Sequence, residues 1–162
     1  WRDNRLNMIH EGTHGIQAAD LLGRKVIMQG GAGLQLLART IEATIAQARA
    51  VPALSGYADQ LAQALQDVTA ATKAAWSTGK PNEALANAVP YMQAFGHMVL
   101  AWIWLDVALA IPAGATNTIA AHAGRMRAAA YFYHYELPKI GAWLQVVSQR
   151  DQTCASMPEE AF

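Results

Sequence analysis

Residues 98–111, MVLAWIWLDVALAI, form the most apolar run in the chain and decide how it folds. Asp106 is the one charged residue within the run, and Pro112 ends it. A membrane-spanning helix needs about 20 apolar residues, so the run is too short to span and is predicted to lie inside the protein. We expect it to belong to the central, most buried helix of the fold.

Apolar residues recur at helical spacing on both sides of this run, and no long stretch alternates with the period of a strand. We predict helices over about residues 14–28, 33–50, 54–77, 81–111 and 116–149. Pro90 either kinks the fourth helix or marks its restart, and Pro138 should bend or break the fifth after Leu137. Short connections between long helices favour antiparallel neighbours. The sequence therefore predicts an all-α fold, an up-down antiparallel helical bundle of about four to five helices.

The same spacing predicts which side chains form the core. In the second and third helices the apolar stripes are Leu34, Leu37, Ile41, Ile45 and Ala48, and then Ala58, Leu61, Leu65, Val68 and Ala75. The aromatic residues of the later helices are predicted to be bundle core: Trp76, Trp102, Trp104, Trp143, Tyr91, Tyr131, Tyr133 and Tyr135. Asp106 and Glu136, if buried among them, would need partners such as Arg125 or Arg127.

Composition and charge exclude several classes of function. The chain has 162 residues, with twelve basic and twelve acidic side chains and a pI near 7.1. This balance provides no excess of basic side chains that would attract nucleic acid or an anionic membrane surface. Cys154 is the only cysteine, which fits a reducing compartment, and we expect it to be inert. With no signal peptide evident, we predict a cytoplasmic protein without a membrane span.

Histidine and glycine patterns favour structural roles. His97, His122 and His134 fall in different helical stretches, with no partner at metal-ligand spacing, so we predict no metal site. Residues 30–33, GGAG, lack the preceding strand and the lysine of a phosphate-binding loop. We predict that they end the first helix and form a hinge before a helical domain over residues 34–162.

The candidate for chemistry lies before the first helix, in residues 2–6, RDNRL, and 9–17, IHEGTHGIQ. Glu11 sits beside a predicted helix N-terminus, where unsatisfied N–H groups favour a carboxylate. Gly12 leaves space for a ligand to approach the backbone, and Thr13 is placed to cap the helix with its hydroxyl. From spacing alone, an ordinary glutamate at a helix end is the more common interpretation of Glu11.

Together, these two segments strongly resemble the acyl-CoA dehydrogenase family, whose signature runs Arg-Asp-x-Arg/Lys-Ile and then Ile-Tyr-Glu-Gly-Thr-x-x-Ile-Gln. Two positions depart from the usual pattern: His10 stands where tyrosine is frequent, and His14 where asparagine or serine is common. More loosely, the stretches 88–92, 96–102 and 131–138 resemble the extra helical C-terminal domain of the longer bacterial members. Residues 1–29 would then be the C-terminal end of the catalytic domain, and the chain a fragment of a longer enzyme.

The resemblance implies a set of roles. Glu11 would be the base that removes the α-proton of an acyl-CoA, with its own backbone N–H and a ribityl hydroxyl of FAD stabilising the thioester oxyanion. Gly12 would line the acyl-CoA site, and Thr13, His14 and Gly15 would approach the FAD. The parent would form the 2,3-enoyl-CoA, pass electrons to an electron-transfer flavoprotein and form a homo-oligomer, whereas the isolated fragment would be inactive.

Two alternatives remain open on the sequence. An acyl-CoA oxidase shares the same motif and differs in using oxygen to reoxidise the flavin. From a different class, residues 34–162 are compatible with a non-catalytic helical module for oligomerisation or partner binding that merely follows the catalytic domain.

Overall fold

The structure is a computed structural model, and it describes residues 13–112 and 119–161. Its α-helices, in chain order, are α1 (His14–Asp20), α2 (Met28–Arg49), α3 (Ser55–Ala75), α4 (Pro81–Leu85), α5 (Ala88–Leu109), α6 (Ala120–Tyr131) and α7 (Ile140–Gln149). A π-helical turn (Leu21–Lys25) continues α1, and a second π-helical turn and a short 3₁₀ helix join α6 to α7. The described ranges contain no strand, and the predicted all-α bundle is confirmed.

The helices run up and down around α5, which packs against α1, α2, α3, α6 and α7. Two contacts between helix ends show these directions. Arg49 at the end of α2 bonds Asp59 in the first turns of α3, with Nη2 and Oδ1 2.9 Å apart. Asn87, just before α5, donates to the carbonyl of Asp151, just after α7, at 2.8 Å. These two pairs therefore run antiparallel, as the short connections predicted.

The predicted apolar stripes of α2 and α3 are confirmed. Ile41, Ile45 and Ala48 are buried, whereas Leu34 and Leu37 are half-buried against the core. All of the predicted positions on α3 are buried: Ala58, Leu61, Leu65, Val68 and Ala75. Both helices carry polar residues on the opposite face, and this contrast allowed the buried face of each helix to be predicted from the sequence.

The first helix ends earlier than predicted. Its regular part stops at Asp20, the π-helical turn extends it to Lys25, and the chain then turns. Gln29, Gly30 and Gly31 have φ of 53°, 66° and 82°, which is left-handed backbone. This turn supplies the predicted break, one residue earlier than the predicted range 30–33, because Gln29 also takes a left-handed conformation.

Helix α5 differs from the prediction in two ways. The helix restarts at Ala88, after a break at Ala86 and Asn87, so Pro90 lies in its first turn, where a missing N–H costs little. The prediction that it is the most buried helix is wrong on one side, since Leu100 and Ile103 are 45% and 46% exposed.

Within the described ranges, α5 alone has the length and hydropathy to cross a membrane. This is weak support for a span, because core helices of soluble proteins often meet the same criteria.

The fifth predicted helix is confirmed with a change of winding near Pro138. α6 passes into the π-helical turn (Phe132–Glu136), then into the 3₁₀ helix (Leu137–Lys139), and α7 follows. Proline lacks the N–H of a regular helical bond, and the irregular turns accommodate that gap. Thr116 and Asn117, at the predicted start of this helix, lie outside the described residues, and Ile119 stands at the described start of α6.

Two predictions about the core need correction. Tyr91 and Tyr133 are fully buried, and the tryptophans of the described bundle are half-buried. Tyr131 and Tyr135 are instead exposed, and their rings stack with centroids 5.1 Å apart.

The second correction concerns the two carboxylates. Asp106 is exposed and does not need the predicted arginine. Glu136 bonds Lys139 and Tyr131 instead of Arg125 or Arg127, because its own helical turns bring those groups within reach.

Candidate functional site

The predicted catalytic segment meets the described structure at its last three positions. Glu11 and Gly12, the predicted base and substrate-site residue, lie outside the described residues. Thr13, His14 and Gly15, predicted to approach a flavin, lie at the start of α1. The geometry of α1 therefore determines how the segment carrying Glu11 joins the bundle.

Thr13 stands at the N-cap position of α1, as predicted, but it does not cap in the predicted way. Its carbonyl accepts the N–H of Gln17 at 2.9 Å, whereas its hydroxyl makes no capping bond to the helix. The φ and ψ of Thr13 are −91° and −12°, already near helical values, whereas a capping side chain usually needs extended backbone. The hydroxyl is thus free of the helix end.

The first turn of α1 has one apolar side chain where polar ones would be expected. His14, Gly15 and Gln17 are exposed, and Ile16 is 71% exposed. A Cβ built on Gly15 would meet no atom within 4 Å, so the outer face of this turn is open. A large aliphatic side chain in water loses the free energy that burial would provide, about 2 kcal/mol. Ile16 is therefore the one large apolar side chain that this described turn exposes to water.

The opposite side of α1 and its π-helical turn is firmly attached to the bundle. Ala18, Leu22 and Val26 belong to the same buried core as α2, α3 and α5. The indole Nε1–H of Trp76, at the end of α3, donates to the carbonyl of Leu22 at 3.1 Å. The start of α1 is therefore held in a fixed place relative to the bundle.

Close packing at Gly23 adds to this attachment. A Cβ on Gly23 would lie 3.2 Å from Cδ2 of Leu85 in α4, so the turn and α4 approach closely because glycine is there. On the outer side, the guanidinium of Arg24 forms two hydrogen bonds to the carboxylate of Asp20, at 2.6 and 3.1 Å. These bonds lower the pKa of Asp20 below its ordinary value.

A polar network on another side of the bundle was not predicted. Glu136 accepts hydrogen bonds from Lys139 Nζ at 2.6 Å and from the Tyr131 hydroxyl at 3.0 Å, and His97 Nε2 lies 3.6 Å away. The hydrogen bonds from Lys139 and Tyr131 lower the pKa of Glu136. The spacing of Glu136 and Lys139 could have indicated their pairing, but His97 comes from α5 and only the fold brings it close.

Neither that network nor any other described cluster forms a metal centre. No group of three or more His, Cys, Asp or Glu side chains converges within the described ranges. His97 instead places its Nδ1 2.9 Å from the carbonyl of Gln93 and packs edge-on against Trp143. These contacts are structural.

The described start of α1 is open toward solvent. Thr13 has a hydroxyl unused by the helix, His14 has an exposed ring, and Gly15 lacks a side chain on an open face. A planar polar group could approach this turn from the solvent side without displacing bundle residues. Residues 13–17 contain no lysine or arginine, so this turn has no such cationic side chain to bind a phosphate group.

Comparison with known proteins shows the family to which the chain belongs. The chain belongs to the family described as acetyl-CoA dehydrogenase C-terminal like, which matches residues 37–158. It is 37% identical, over 108 residues, to a 3-methylmercaptopropionyl-CoA dehydrogenase of Ruegeria pomeroyi, an alignment that covers 63% of this chain and 18% of that protein. These matches confirm the predicted C-terminal acyl-CoA dehydrogenase region.

A second relative aligns with almost the whole chain. The broad-specificity linear acyl-CoA dehydrogenase FadE5 of Mycobacterium tuberculosis is 24% identical over 174 residues, covering 99% of this chain and 28% of that protein. The chain thus spans less than a third of the length of either relative. The family match begins at Leu37, so it covers the bundle, whereas the motif around Glu11 lies before it.

Proposed function

We propose that this chain is the C-terminal part of an FAD-dependent acyl-CoA dehydrogenase and that Glu11 is its catalytic base. The observation that carries the proposal is the family match over residues 37–158, in a chain that has the Glu-Gly-Thr motif at residues 11–13, before the matched region. Both relatives are named as acyl-CoA dehydrogenases, which supports the same reaction in the parent of this chain. The product would be the 2,3-enoyl-CoA.

The proposed step requires a carboxylate in the position of Glu11. An α-proton beside a thioester is weakly acidic, so its removal near neutral pH needs a base with a raised pKa, held out of water. Negative charge then develops on the thioester oxygen, and the backbone N–H of Glu11 would stabilise it there. FAD, when bound, supplies the acceptor for the β-hydride.

The remaining predicted residues position these groups. Gly12 would let the acyl-CoA pass close to the backbone, because a side chain there would fill that space. Thr13, His14 and Gly15 would face the flavin from the open side of α1. The attachment of Leu22 and Val26 to the core would hold the turn still, so that the base keeps its place relative to the substrate.

The proposed parent has residues 1–29 as the end of its catalytic domain, residues 30–33 as a hinge and residues 34–162 as an additional helical domain. The exposed face at His14–Gln17 would pack against the rest of the catalytic domain. Because most of the flavin and acyl-CoA pockets would then lie outside this chain, we propose that the chain alone is inactive. Partners of the parent would be an electron-transfer flavoprotein and further copies of itself, in the cytoplasm.

An acyl-CoA oxidase is the second candidate within this chemistry, because the motif serves both reactions. A helical module for assembly is the second candidate for residues 34–162, and the exposed apolar side chains on α5 favour it. Stoichiometric hydrogen peroxide from oxidised acyl-CoA would assign the oxidase, whereas turnover that needs an electron-transfer flavoprotein would assign the dehydrogenase.

The test is Glu11→Gln in the full-length parent. The variant should bind FAD normally, judged by flavin absorbance, and lose about 100- to 10,000-fold in turnover of its acyl-CoA, because the amide cannot accept the α-proton. Glu42→Gln, a change of the same chemistry on the exposed side of α2, is the matched control and should keep full activity. Near-normal turnover by Glu11→Gln with intact flavin would refute the assignment.

A further inference from the structure

A cavity of about 350 Å³ lies where the left-handed turn in the first residues of α2 faces the C-terminal half of α3. Its apolar wall comprises Val26, Ile27, Leu34, Ala38 and Trp76. The volume falls within the range of small-molecule sites, which begins near 300 Å³ and combines apolar walls with a few polar groups. Glycine at positions 30 and 31 keeps its rim free of side chains.

The polar side chains of this wall are almost all engaged within the protein. Thr72 Oγ1 bonds the Val68 carbonyl and the Tyr91 hydroxyl, at 2.8 and 2.7 Å. Likewise, Thr69 Oγ1 donates to Leu65, Trp76 Nε1 to Leu22 and Gln35 Nε2 to Gly30. A ligand in the cavity would therefore meet a surface that behaves as apolar.

Lys73 is the exception. Its side chain lines this cavity and also the neighbouring one between α2 and α3, and no carboxylate of a described residue lies within 4.0 Å of its ammonium group. In the neighbouring cavity, Arg49 is already paired with Asp59. The ammonium group of Lys73 thus lies beside an apolar groove without a carboxylate partner among the described residues.

We propose that this cavity binds a free medium-chain carboxylate, with its alkyl chain against Ala38 and Trp76 and its carboxylate on Lys73. An apolar wall with a single positive charge complements a ligand that has an alkyl tail and a single negative charge. The lining of this site includes none of the residues assigned to the proposed reaction, and the inference does not depend on that reaction. Its ligand needs no coenzyme A group, since one lysine offers no match for several phosphates.

Decanoate, titrated calorimetrically into the 162-residue chain below its micelle concentration, tests the proposal. We expect saturable binding of one decanoate per chain. Affinity should fall about fourfold for each methylene removed from the tail, because each buried methylene contributes to transfer from water. Decanol, with the same tail and no charge, should bind about tenfold more weakly.

Two variants locate the site. Lys73→Met keeps the length of the side chain and should remove the preference for decanoate over decanol, whereas the control Lys25→Met, outside the cavity, should keep it. Ala38→Phe should fill the groove and abolish binding of both ligands, with the helical circular dichroism unchanged. Absence of saturable decanoate binding to the wild-type chain would overturn the proposal. So would a preference for decanoate that survives Lys73→Met, and this comparison holds even if Ala38→Phe fails to fold.

Discussion

Trp76 connects two parts of the molecule through one hydrogen bond. Its indole N–H reaches the carbonyl of Leu22, 54 positions away in the chain, in the π-helical turn that follows α1. That turn continues the helix whose first residues come from the predicted catalytic segment. A single side chain at the end of α3 therefore helps to hold the π-helical turn after α1 against the bundle.

Replacing Trp76 by Phe should weaken this attachment. We expect a loss of about 1 kcal/mol in the free energy of unfolding, since a buried carbonyl loses its donor, and faster amide hydrogen exchange in residues 18–26. Trp102→Phe is the matched control, because Trp102 also donates one hydrogen bond, to Thr44 Oγ1 at 2.9 Å. Equal exchange of residues 18–26 in the two variants would contradict the proposed role of Trp76.

Tyr91 and Tyr133 should make stability depend on alkaline pH. Burial raises the pKa of Tyr91 to about 12 and also raises the pKa of Tyr133. In the unfolded chain both phenols ionise near pH 10. Their contribution is therefore complete below about pH 10 and is lost as the pH rises toward the folded pKa, by up to about 3 kcal/mol for Tyr91.

Urea denaturation between about pH 9 and pH 11.5 measures this loss. The informative quantity is the difference between wild type and the Tyr91→Phe, Tyr133→Phe double variant, because the difference removes every contribution that the two proteins share. The double variant should show a clearly shallower decline above about pH 10. Identical slopes would mean that the two phenols are not shielded from water.

Residue-scale predictions from sequence succeeded where a local pattern carried the information. The position of Thr13 at the start of α1 followed from its place before an apolar stripe. The absence of its capping bond could not be foreseen, because that depends on backbone angles at one residue. The bond from Trp76 to Leu22 had no local signal at all, since only the assembled bundle brings the two together.

At the scale of elements, the left-handed turn in the first residues of α2 depends on glycine at position 31. The φ of Gly31 is 82°, and a Cβ there would lie 3.4 Å from the carbonyl oxygen of Val26. The turn also forms one edge of the 350 Å³ cavity, so its backbone conformation affects both the path of the chain and the shape of that cavity.

Gly31→Ala should therefore destabilise the chain by about 1–2 kcal/mol, the cost of left-handed backbone for a residue with a Cβ. Gly124→Ala is the matched control, because Gly124 lies inside α6 with nothing near its missing Cβ, and it should stabilise by up to about 1 kcal/mol. Thermal or chemical denaturation of both variants gives the comparison. A neutral Gly31→Ala would show that the turn has another conformation.

The sequence predicted helices α2 and α3 better than α5. Polar residues on one side of α2 and α3 contrast with apolar ones on the other, so periodicity gave both their range and their buried face. Helix α5 is apolar all round, and without contrast the pattern cannot say which side is covered. Leu100 and Ile103 were for this reason assigned to the core, although they are on its exposed side.

At the scale of the whole molecule, the exposed apolar side chains have a common interpretation. Val89, Leu100 and Ile103 lie on the outer side of α5, and Ile16 lies on the outer side of α1. Clusters of exposed large apolar residues typically mark contact surfaces. They support a bundle that packs against other parts of a longer enzyme or against a second copy.

The chain should therefore self-associate in solution through α5. The double variant Leu100→Lys, Ile103→Lys should keep its unfolding free energy within about 0.5 kcal/mol, since both positions are largely in water, and should sediment more slowly than wild type at the same concentration. A wild-type chain that is monomeric at high concentration would argue against the assembly role.

The proposal that Glu11 is the catalytic base is tested most simply by following reduction of the flavin in the complete enzyme. The full-length parent and its Glu11→Gln variant, each with FAD bound, are mixed rapidly with acyl-CoA in the absence of oxygen and of any electron acceptor, and loss of the oxidised flavin absorbance is followed. We expect rapid bleaching in the wild type and bleaching at least about 100-fold slower in the variant. Bleaching of the variant at the wild-type rate would show that Glu11 is not the base.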